Sequence, residues 1–242
     1  MQIASQIKTY VESVPPGKII TYQDLSALQG AKPQALAKTL ERLVKKKILV
    51  RQSKGAFYRP KDTIFGPVAP HDEEIISFLT RKGNRITGIL TGQSLYLNFK
   101  ISTQVPSVLT IASITPKKKR IIGNLKVQFV RSYVSTISEE DIPLLQILEA
   151  FRFIKKAQEC TPESILNKLR SMMQSLSNTD LQKLADLARA YPPMVRALCG
   201  YILEDLGNTE FSNNLFQTIN PFTKYKIGLP QNYSAYSKWG IL

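Results

Sequence analysis

Hydrophobic residues recur at helical spacing within residues 32–47. At about 100° per residue, one face collects the apolar side chains Leu36, Leu40, Leu43 and Val44. The same period gathers polar and basic side chains within about 80° of one another on the opposite face: Gln34, Lys38, Arg42 and Lys45. The pattern predicts a helix that packs on a core with one face and presents cations with the other.

A shorter helix is predicted immediately upstream. Thr21 and Asp24 have the spacing of a capping box, in which each side chain bonds the backbone N–H of the other residue. This helix is expected to run to about Leu28. Residues 29–31 should then form a turn, because Gly30 tolerates a left-handed conformation.

A β-hairpin is predicted downstream. The β-prone runs 48–51 and 56–59 flank a glycine-containing loop of four residues, 52–55. Basic side chains lie at or near this loop: Arg51, Lys54 and Arg59. The hairpin should therefore present positive charge beside the predicted helices.

Helix, turn, helix and basic hairpin follow one another in the order of a winged helix-turn-helix. We interpret six of its side chains as a DNA-binding set, the helical ones for the major groove and the hairpin ones for phosphate or the minor groove: Gln34, Lys38, Arg42, Lys45, Arg51 and Lys54. Two alternatives stay open. The basic stripe is a solvated surface face, or the winged helix docks an acidic protein partner without binding DNA.

A proline-rich connector suggests where the first domain ends. Residues 2–14 have helical spacing and lead into the winged helix, whereas 59–61 and 66–70 carry Pro and Gly. We therefore predict a DNA-binding domain over 1–64 and a second domain over 65–242, within an α+β fold.

The second domain is predicted to begin with a small α/β part over 65–136. A helix over 71–79 and a strand or turn passing into a helix over 86–96 precede two strands, 108–114 and 125–131. The strands are expected to pair, with a cationic loop between them: Lys117, Lys118, Lys119 and Arg120. This loop is either a second phosphate contact or a solvated hairpin tip.

Residues 137–242 are predicted to form a helical bundle. Helix starts are indicated by cap-like pairs and prolines at Ser138/Asp141, Thr161/Pro162, Ser177/Asp180 and Pro192/Pro193. The tail after residue 220 lacks periodicity but is rich in aromatic residues: Phe222, Tyr225, Tyr233, Tyr236 and Trp239. These side chains are expected to pin the tail against the bundle, and a partner-binding strip is the alternative.

The charge distribution separates the two halves of the chain. The net charge is +15; residues 1–66 hold twelve Lys/Arg against four Asp/Glu, residues 67–136 ten against three, and residues 137–242 eleven against eleven. A polyanion partner therefore belongs to the first half.

No apolar run reaches the ~18 residues of a membrane span, and the N-terminus lacks the pattern of a signal peptide. Cys160 and Cys199 are expected to be buried thiols, so we expect a cytoplasmic protein with no membrane partner.

The search for catalytic chemistry finds little. His71 is the single histidine, which argues against a histidine-based triad or metal site. Gly92-Gln93-Ser94 is similar to the glycine–serine turn of nucleotidyltransferases, but no Asp or Glu occurs between Glu74 and Glu139 to supply paired carboxylates. We interpret Glu139/Glu140 and Glu204/Asp205 as solvated charges at helix ends. We therefore expect no enzyme, metal or cofactor.

Several stretches together resemble one protein family. They are Gly17-Lys18-Ile19-Ile20-Thr21-Tyr22-Gln23-Asp24, Leu40-Glu41-Arg42-Leu43-Val44, the residues 54–60, Phe65-Gly66-Pro67, 87–97, 103–106, 142–156, 191–198 and 220–225. With these stretches the chain resembles AbiEi-type antitoxins of type IV toxin–antitoxin systems, in the branch with an N-terminal winged helix-turn-helix. The likeness spans nearly the whole chain, although none of the stretches is a catalytic motif.

This resemblance implies a bacterial phage-defence antitoxin that is paired with a nucleotidyltransferase-like toxin. It also implies that the N-terminal domain is a transcriptional repressor of its own operon, through inverted repeats in double-stranded promoter DNA. Neutralisation of the toxin would lie in the C-terminal domain, with or without direct contact. The alternatives are the protein-interaction module described above and an enzyme that acts on nucleotides or on the toxin.

Overall fold

The computed structural model describes residues 3–26, 28, 33–64, 66–229 and 234–242. The chain forms two compact units, Met1–Leu79 with Ile121–Leu125, and Thr80–Arg120 with Lys126–Leu242. Helices and strands occur in both units, so the prediction of an α+β protein is confirmed.

The first unit combines helices with short antiparallel strands. In chain order its elements are α1 (Ile3–Ser13), β1 (Ile19–Thr21), α2 (Tyr22–Ser26), α3 (Pro33–Lys45), β2 (Val50–Ser53), β3 (Ala56–Tyr58), β4 (Lys61–Thr63), β5 (Gly66–Val68) and α4 (Asp72–Thr80). Strand β3 lies between β1 and β2 and is antiparallel to both. The segment predicted as a proline-rich connector instead contains the β4–β5 pair.

One hydrophobic core holds the first unit together. Helix α3 contributes Leu36, Leu40 and Leu43, which are at most 6% exposed. They pack with side chains from α1, α2, the sheet and the segment after α3: Ile7, Val11, Val14, Ile20, Leu25, Leu49 and Phe57. Each fully buried leucine contributes about 1.5–3 kcal/mol relative to an exposed one, so this stripe fixes which face of α3 meets solvent.

The capping box at the start of α2 is confirmed. The Thr21 amide donates to Asp24 Oδ2 at 2.7 Å, and the Asp24 amide donates to Thr21 Oγ1 at 3.3 Å. Helix α2 ends at Ser26. The predicted turn at 29–31 and the predicted helix start at Lys32 lie outside the described residues.

The hairpin after α3 is tighter than the sequence predicts. Because β2 continues to Ser53, only Lys54 and Gly55 separate it from β3. The predicted four-residue loop was therefore wrong. Gly55 has φ +79°, a conformation that glycine adopts without steric cost, and a register shift lies between Arg51 and Ser53.

The first unit extends past the predicted boundary at residue 64. Helix α4 belongs to it as far as Leu79. The Ile19 amide in β1 donates to Glu74 Oε1 at 3.0 Å, which links α4 to the sheet of the first unit. Because this hydrogen bond joins residues 55 positions apart, no local sequence pattern predicts it. The prolines before α4 therefore do not mark the end of the first unit.

The second unit packs helices beside a small mixed sheet. Its elements are β6 (Arg81–Lys82), β7 (Arg85–Ile86), β8 (Gly88–Thr91), α5 (Gln93–Asn98), β9 (Val108–Ser113), β10 (Arg120–Ile122, which crosses into the first unit), β11 (Leu125–Arg131), α6 (Asp141–Phe153), α7 (Pro162–Gln174), α8 (Asn178–Ala188), α9 (Pro193–Asp205) and α10 (Thr209–Phe216).

Strands β9 and β11 pair as predicted, but in parallel. Their register aligns Lys126 with Val108 and Arg131 with Ser113. Parallel neighbours cannot be joined by a tight turn, so the interpretation of the cationic loop as a hairpin tip between these strands was wrong. Strand β8 lies antiparallel on the other side of β9.

The side-chain caps predicted at Thr161 and Ser177 are present. Thr161 Oγ1 accepts from the Ser164 amide at 3.1 Å, and Ser177 Oγ accepts from the Asp180 amide at 3.1 Å. These contacts satisfy backbone N–H groups that helix ends leave without partners. The cap predicted at Ser138 was wrong: the Ser138 amide donates to Asp141 Oδ2 at 3.1 Å, but α6 begins only at Asp141, and Glu140 is its N-cap without a side-chain hydrogen bond.

The tail is pinned by Trp239. Its ring is 1% exposed and meets Phe216 edge-on, with 5.1 Å between the ring centroids. Its Nε1 donates to Glu204 Oε2 at 2.6 Å. Tyr225 is also buried, whereas Phe222 is 89% exposed. Tyr233 and the side chain of Tyr236 lie outside the described part of the chain.

The carboxylates interpreted as solvated charges are exposed, except for half-buried Glu204, and they also have ionic partners. Glu139 pairs with Arg81, Asp205 with Arg170, and Glu204 with Lys238. Glu140 is the most exposed, with Lys183 Nζ at 3.5 Å from its Oε2. Burial opposes ionisation of Glu204, but hydrogen bonds from Lys238 and Trp239 outweigh it and hold the pKa of this carboxyl below its ordinary value.

Gly200 tests the tail packing. A Cβ at this position in α9 would overlap Cη2 and Cζ3 of Trp239. Gly→Ala in a helix normally gains up to about 1 kcal/mol, but we expect Gly200→Ala to lower the free energy of unfolding by about 1–2 kcal/mol, because overpacking dominates. The emission of Trp239, the single tryptophan, should shift to the red. The account is contradicted if Gly200→Ala stabilises the wild-type chain as much as it stabilises a Trp239→Ala background.

Candidate nucleic-acid interface

Helix α3 exposes the whole predicted polar stripe. Gln34, Lys38, Arg42 and Lys45 are exposed, and the leucines on the other side of the helix are buried. The helical period places the four side chains on one surface about 16 Å long, at about 1.5 Å rise per residue. The sequence therefore identified this surface from periodicity alone.

Lys45 is engaged on that surface. Its Nζ lies 3.0 Å from Glu41 Oε1, and the two side chains are 75% and 65% exposed. An exposed pair one helical turn apart is weak and is screened by salt. Lys45 can therefore exchange this carboxylate for another anion at little cost, whereas Glu41 lowers the local charge of the stripe.

The hairpin tip is attached to the start of α2. The Tyr22 amide donates to the Gly55 carbonyl oxygen at 3.2 Å. The Tyr22 ring stands edge-on to Phe57, with centroids 5.8 Å apart, and a Cβ on Gly55 would lie 3.1 Å from Tyr22 Cδ2. These contacts hold the tip, with exposed Lys54 and with exposed Arg51 on β2, in a fixed position relative to α2.

Arg59 is not part of the hairpin tip. Its Nη1 donates to the Glu12 carbonyl oxygen at 2.6 Å, near the end of α1. The Arg59 carbonyl oxygen accepts from the Gly17 amide at 2.8 Å. The guanidinium thus satisfies a carbonyl at a helix C-terminus, a favourable place for a cation, and its expected position near the tip was wrong.

Two further exposed cations follow the stripe. Lys46 and Lys47 are exposed, and Lys47 has φ +58°, the left-handed conformation that often ends a helix. The run of three lysines at 45–47 is visible in the sequence. The helical period did not place Lys46 and Lys47 in the stripe, because it does not show that the helix ends at Lys45.

The charge of the two units differs from the charge of the two sequence halves. Because α4 brings Asp72, Glu73 and Glu74 into the first unit, that unit has twelve Lys/Arg against seven Asp/Glu, a net charge of +5. Residues 80–136 carry ten Lys/Arg and no Asp or Glu. Positive charge therefore concentrates at two places, the exposed stripe with its hairpin and the strands of the second unit.

The cationic loop of the second unit divides into two pairs. Lys118, Lys119 and Arg120 are exposed, and Lys117 is half-buried. Lys117 Nζ and Arg120 Cζ lie 5.3 and 5.1 Å from the centroid of the Phe129 ring. The sequence groups these four residues by charge, but it does not show that two of them lie over Phe129, a residue of β11.

A buried charged network in the second unit was missed. Glu149 is 0% exposed; its Oε2 accepts from Thr91 Oγ1 at 2.6 Å, and its Oε1 accepts from the Tyr191 hydroxyl at 3.1 Å. Arg152 Nη1 lies 3.1 Å from the same carboxylate. Burial and the charge of Glu149 raise the pKa of Tyr191. The signal was a lone acid within the apolar stretch 144–151, but its partners lie 42 and 58 residues away.

The two thiols differ in burial: Cys199 is buried as predicted, whereas Cys160 is only half-buried. Cys160 and Cys199 are both free, and Cys199 is fully buried. Burial raises the pKa of the Cys199 thiol to about 12. A thiol in that state is protonated at neutral pH and is a poor nucleophile.

Residues 6–181 match the model of a family described as "Family of unknown function (DUF6088)", and the chain belongs to this family. No curated protein matches. The chain is also similar to the RV2827C protein from Mycobacterium tuberculosis, a crystal structure, at 17% identity and a TM-score of 0.44, over 99% of this chain and 90% of that one. Among the described residues, no helix has the length and apolar character needed to cross a bilayer.

Proposed function

We propose that the first unit is a winged helix-turn-helix that binds double-stranded DNA. The order α1-β1-α2-α3-β2-β3, with β3 between β1 and β2, supports this arrangement. Helix α3 is then the recognition helix, and the β2–β3 hairpin is the wing.

The observation that carries the proposal is the two-faced character of α3. Its buried leucines leave Gln34, Lys38 and Arg42 on the exposed side. A helix with its side chains is about 10–12 Å across, which matches the ~12 Å major groove. Arginine and lysine can read guanine and glutamine can read adenine, so this stripe has suitable chemistry for base recognition.

The wing supplies contacts of a different kind. Arg51 and Lys54 are exposed cations on a hairpin that is held to α2. Such side chains meet phosphate or the minor groove and position the protein without reading bases. The DNA-binding set is therefore Gln34, Lys38, Arg42, Lys45, Arg51 and Lys54.

We further propose that the protein is the antitoxin of a type IV toxin–antitoxin system and represses its own operon. The support is the resemblance to AbiEi-type antitoxins, together with a basic first unit suited to promoter DNA. Inverted repeats in the promoter imply two copies on each operator. The second unit would neutralise the cognate nucleotidyltransferase-like toxin in the bacterial cytoplasm.

Arg42→Ala tests base reading. If Arg42 contacts a guanine, the substitution should cost about 1–3 kcal/mol on the natural upstream DNA and much less on a scrambled duplex. Fluorescence anisotropy with both duplexes measures this loss of specificity. Lys8→Ala, which removes an exposed cation from α1, is the matched control. Equal affinity of the wild type for both duplexes would rule out base reading.

Lys54→Ala tests the role of the wing. A lost phosphate contact should weaken binding to all sequences alike and reduce the slope of log K against log salt by about one. Measuring DNA affinity at salt concentrations between about 50 and 200 mM gives this slope. An unchanged slope would remove the wing from the interface. Absence of DNA binding together with a stable complex with an acidic protein would favour the protein-docking alternative.

Co-expression tests the antitoxin role. The product of a neighbouring nucleotidyltransferase gene should arrest growth, and this chain should restore it. Arg42→Ala should also restore growth, because neutralisation is assigned to the second unit while repression depends on α3. Failure of the wild-type chain to restore growth, at a level of expression confirmed by immunoblot, would reject this role.

A further inference from the structure

Helix α3 carries one acidic side chain on its exposed cationic stripe. At about 100° per residue, Glu41 lies about 20° from Gln34 and about 40° from Lys45 around the helix. The Glu41 side chain is 65% exposed, and the other members of the stripe are exposed as well. Glu41 therefore belongs to the surface that the proposed function turns towards DNA, although a search for cations and amides leaves it out.

The sequence around Glu41 is otherwise cationic. Glu41 is the single Asp or Glu among residues 25–61, a segment that holds ten Lys/Arg. Duplex DNA carries one negative charge per about 1.7 Å of helix axis, so the phosphates repel a carboxylate on a DNA-facing helix. This repulsion weakens binding to every sequence, and it is offset only where the carboxylate meets a hydrogen-bond donor of the DNA.

The ion pair with Lys45 leaves the Glu41 carboxylate able to meet such a donor. Lys45 Nζ lies 3.0 Å from Glu41 Oε1, and both side chains are largely exposed. A carboxylate has about four lone-pair sites, so it can accept from Lys45 and from a second donor at once. Because an exposed pair is weak, Lys45 can also move to a phosphate while Glu41 stays in the groove.

The major groove offers the carboxylate one well-matched base edge. Cytosine presents its N4 amino group there, and Glu and Asp side chains accept from it. Guanine presents two acceptors, and thymine presents an acceptor and a methyl group. Adenine places an acceptor beside its amino donor, and that acceptor repels the second oxygen of a carboxylate. Cytosine is therefore the base that Glu41 fits.

We propose that Glu41 is a specificity-determining residue of α3, which accepts a hydrogen bond from the N4 amino group of a cytosine in the major groove. The inference rests on the proposed DNA binding by α3 and adds one residue to its contacts. Glu41 thereby favours duplexes with cytosine at one position and disfavours all others.

The experiment measures the affinity of the full-length protein for its upstream DNA and for single-base-pair variants of that DNA, by fluorescence anisotropy. At one C·G pair, replacement by T·A should weaken the wild type by at least about fivefold and Glu41→Ala by less than about twofold. Glu41→Ala should also bind a scrambled duplex more tightly than the wild type does, because a charge that repels phosphate is gone.

Glu12→Ala is the matched control. It removes an exposed acid from α1 that is paired with Lys8 one helical turn away, as Glu41 is paired with Lys45. Its base-pair profile should equal that of the wild type. Thermal melts should show that both variants fold, since each change lies on an exposed helical face and alanine favours helix.

A Lys45→Ala background separates direct contact from an effect through Lys45. If Glu41 touches the cytosine, adding Glu41→Ala to this background should still remove the preference at the C·G pair. If Glu41 only orients Lys45, adding Glu41→Ala should change nothing there, and that result would overturn the proposal.

The remaining outcomes distinguish this inference from the proposed function. A wild-type chain that binds natural and scrambled duplexes equally would reject base reading by α3, and Glu41 with it. If the wild type is sequence-specific but Glu41→Ala keeps the same base-pair profile, or shifts every duplex by one factor, DNA recognition by α3 stands and the role of Glu41 is rejected.

Discussion

The burial of one leucine stripe on α3 is the constraint on which the account of the first unit depends. Leu36, Leu40 and Leu43 enter the core formed with α1, α2 and the sheet. Since side chains on a helix are fixed at about 100° intervals, burying this stripe forces Gln34, Lys38 and Arg42 outward. The same contacts that stabilise the unit therefore orient its cations.

The hairpin is positioned by contacts of a different kind. The Tyr22 amide donates to the Gly55 carbonyl oxygen and the Tyr22 ring packs edge-on to Phe57, so the hairpin tip is attached to the start of α2. The Thr21–Asp24 capping box fixes where α2 begins. The proposed binding of DNA by a helix and a hairpin requires both elements to be held in place. The contacts of Tyr22 hold the hairpin.

Local signals were sufficient for the helices and their starts. The period of α3, the capping box at Thr21, and the caps at Thr161 and Ser177 each depend on residues within four positions of one another. Features that join distant segments could not be obtained in this way. Glu74 meets Ile19, which moved the domain boundary, and Arg59 meets Glu12, which removed a cation from the hairpin tip.

Strand direction and buried polar networks could not be predicted from the sequence, because they also depend on contacts between distant segments. The β-prone runs 108–114 and 125–131 identify β9 and β11 but do not reveal that the strands are parallel. The sequence likewise does not show that Lys117 and Arg120 lie over the Phe129 ring. Glu149 was visible as an acid in an apolar helix, yet its partners Thr91 and Tyr191 become neighbours only in the folded unit.

Lysine footprinting tests the central claim most directly. The wild-type protein is acetylated with and without its own upstream DNA, and modified lysines are counted by mass spectrometry. We predict that Lys38, Lys45 and Lys54, all exposed in the free protein, lose reactivity when the DNA is bound, while exposed Lys8 keeps it. The claim is contradicted if the DNA binds and these three lysines remain as reactive as before.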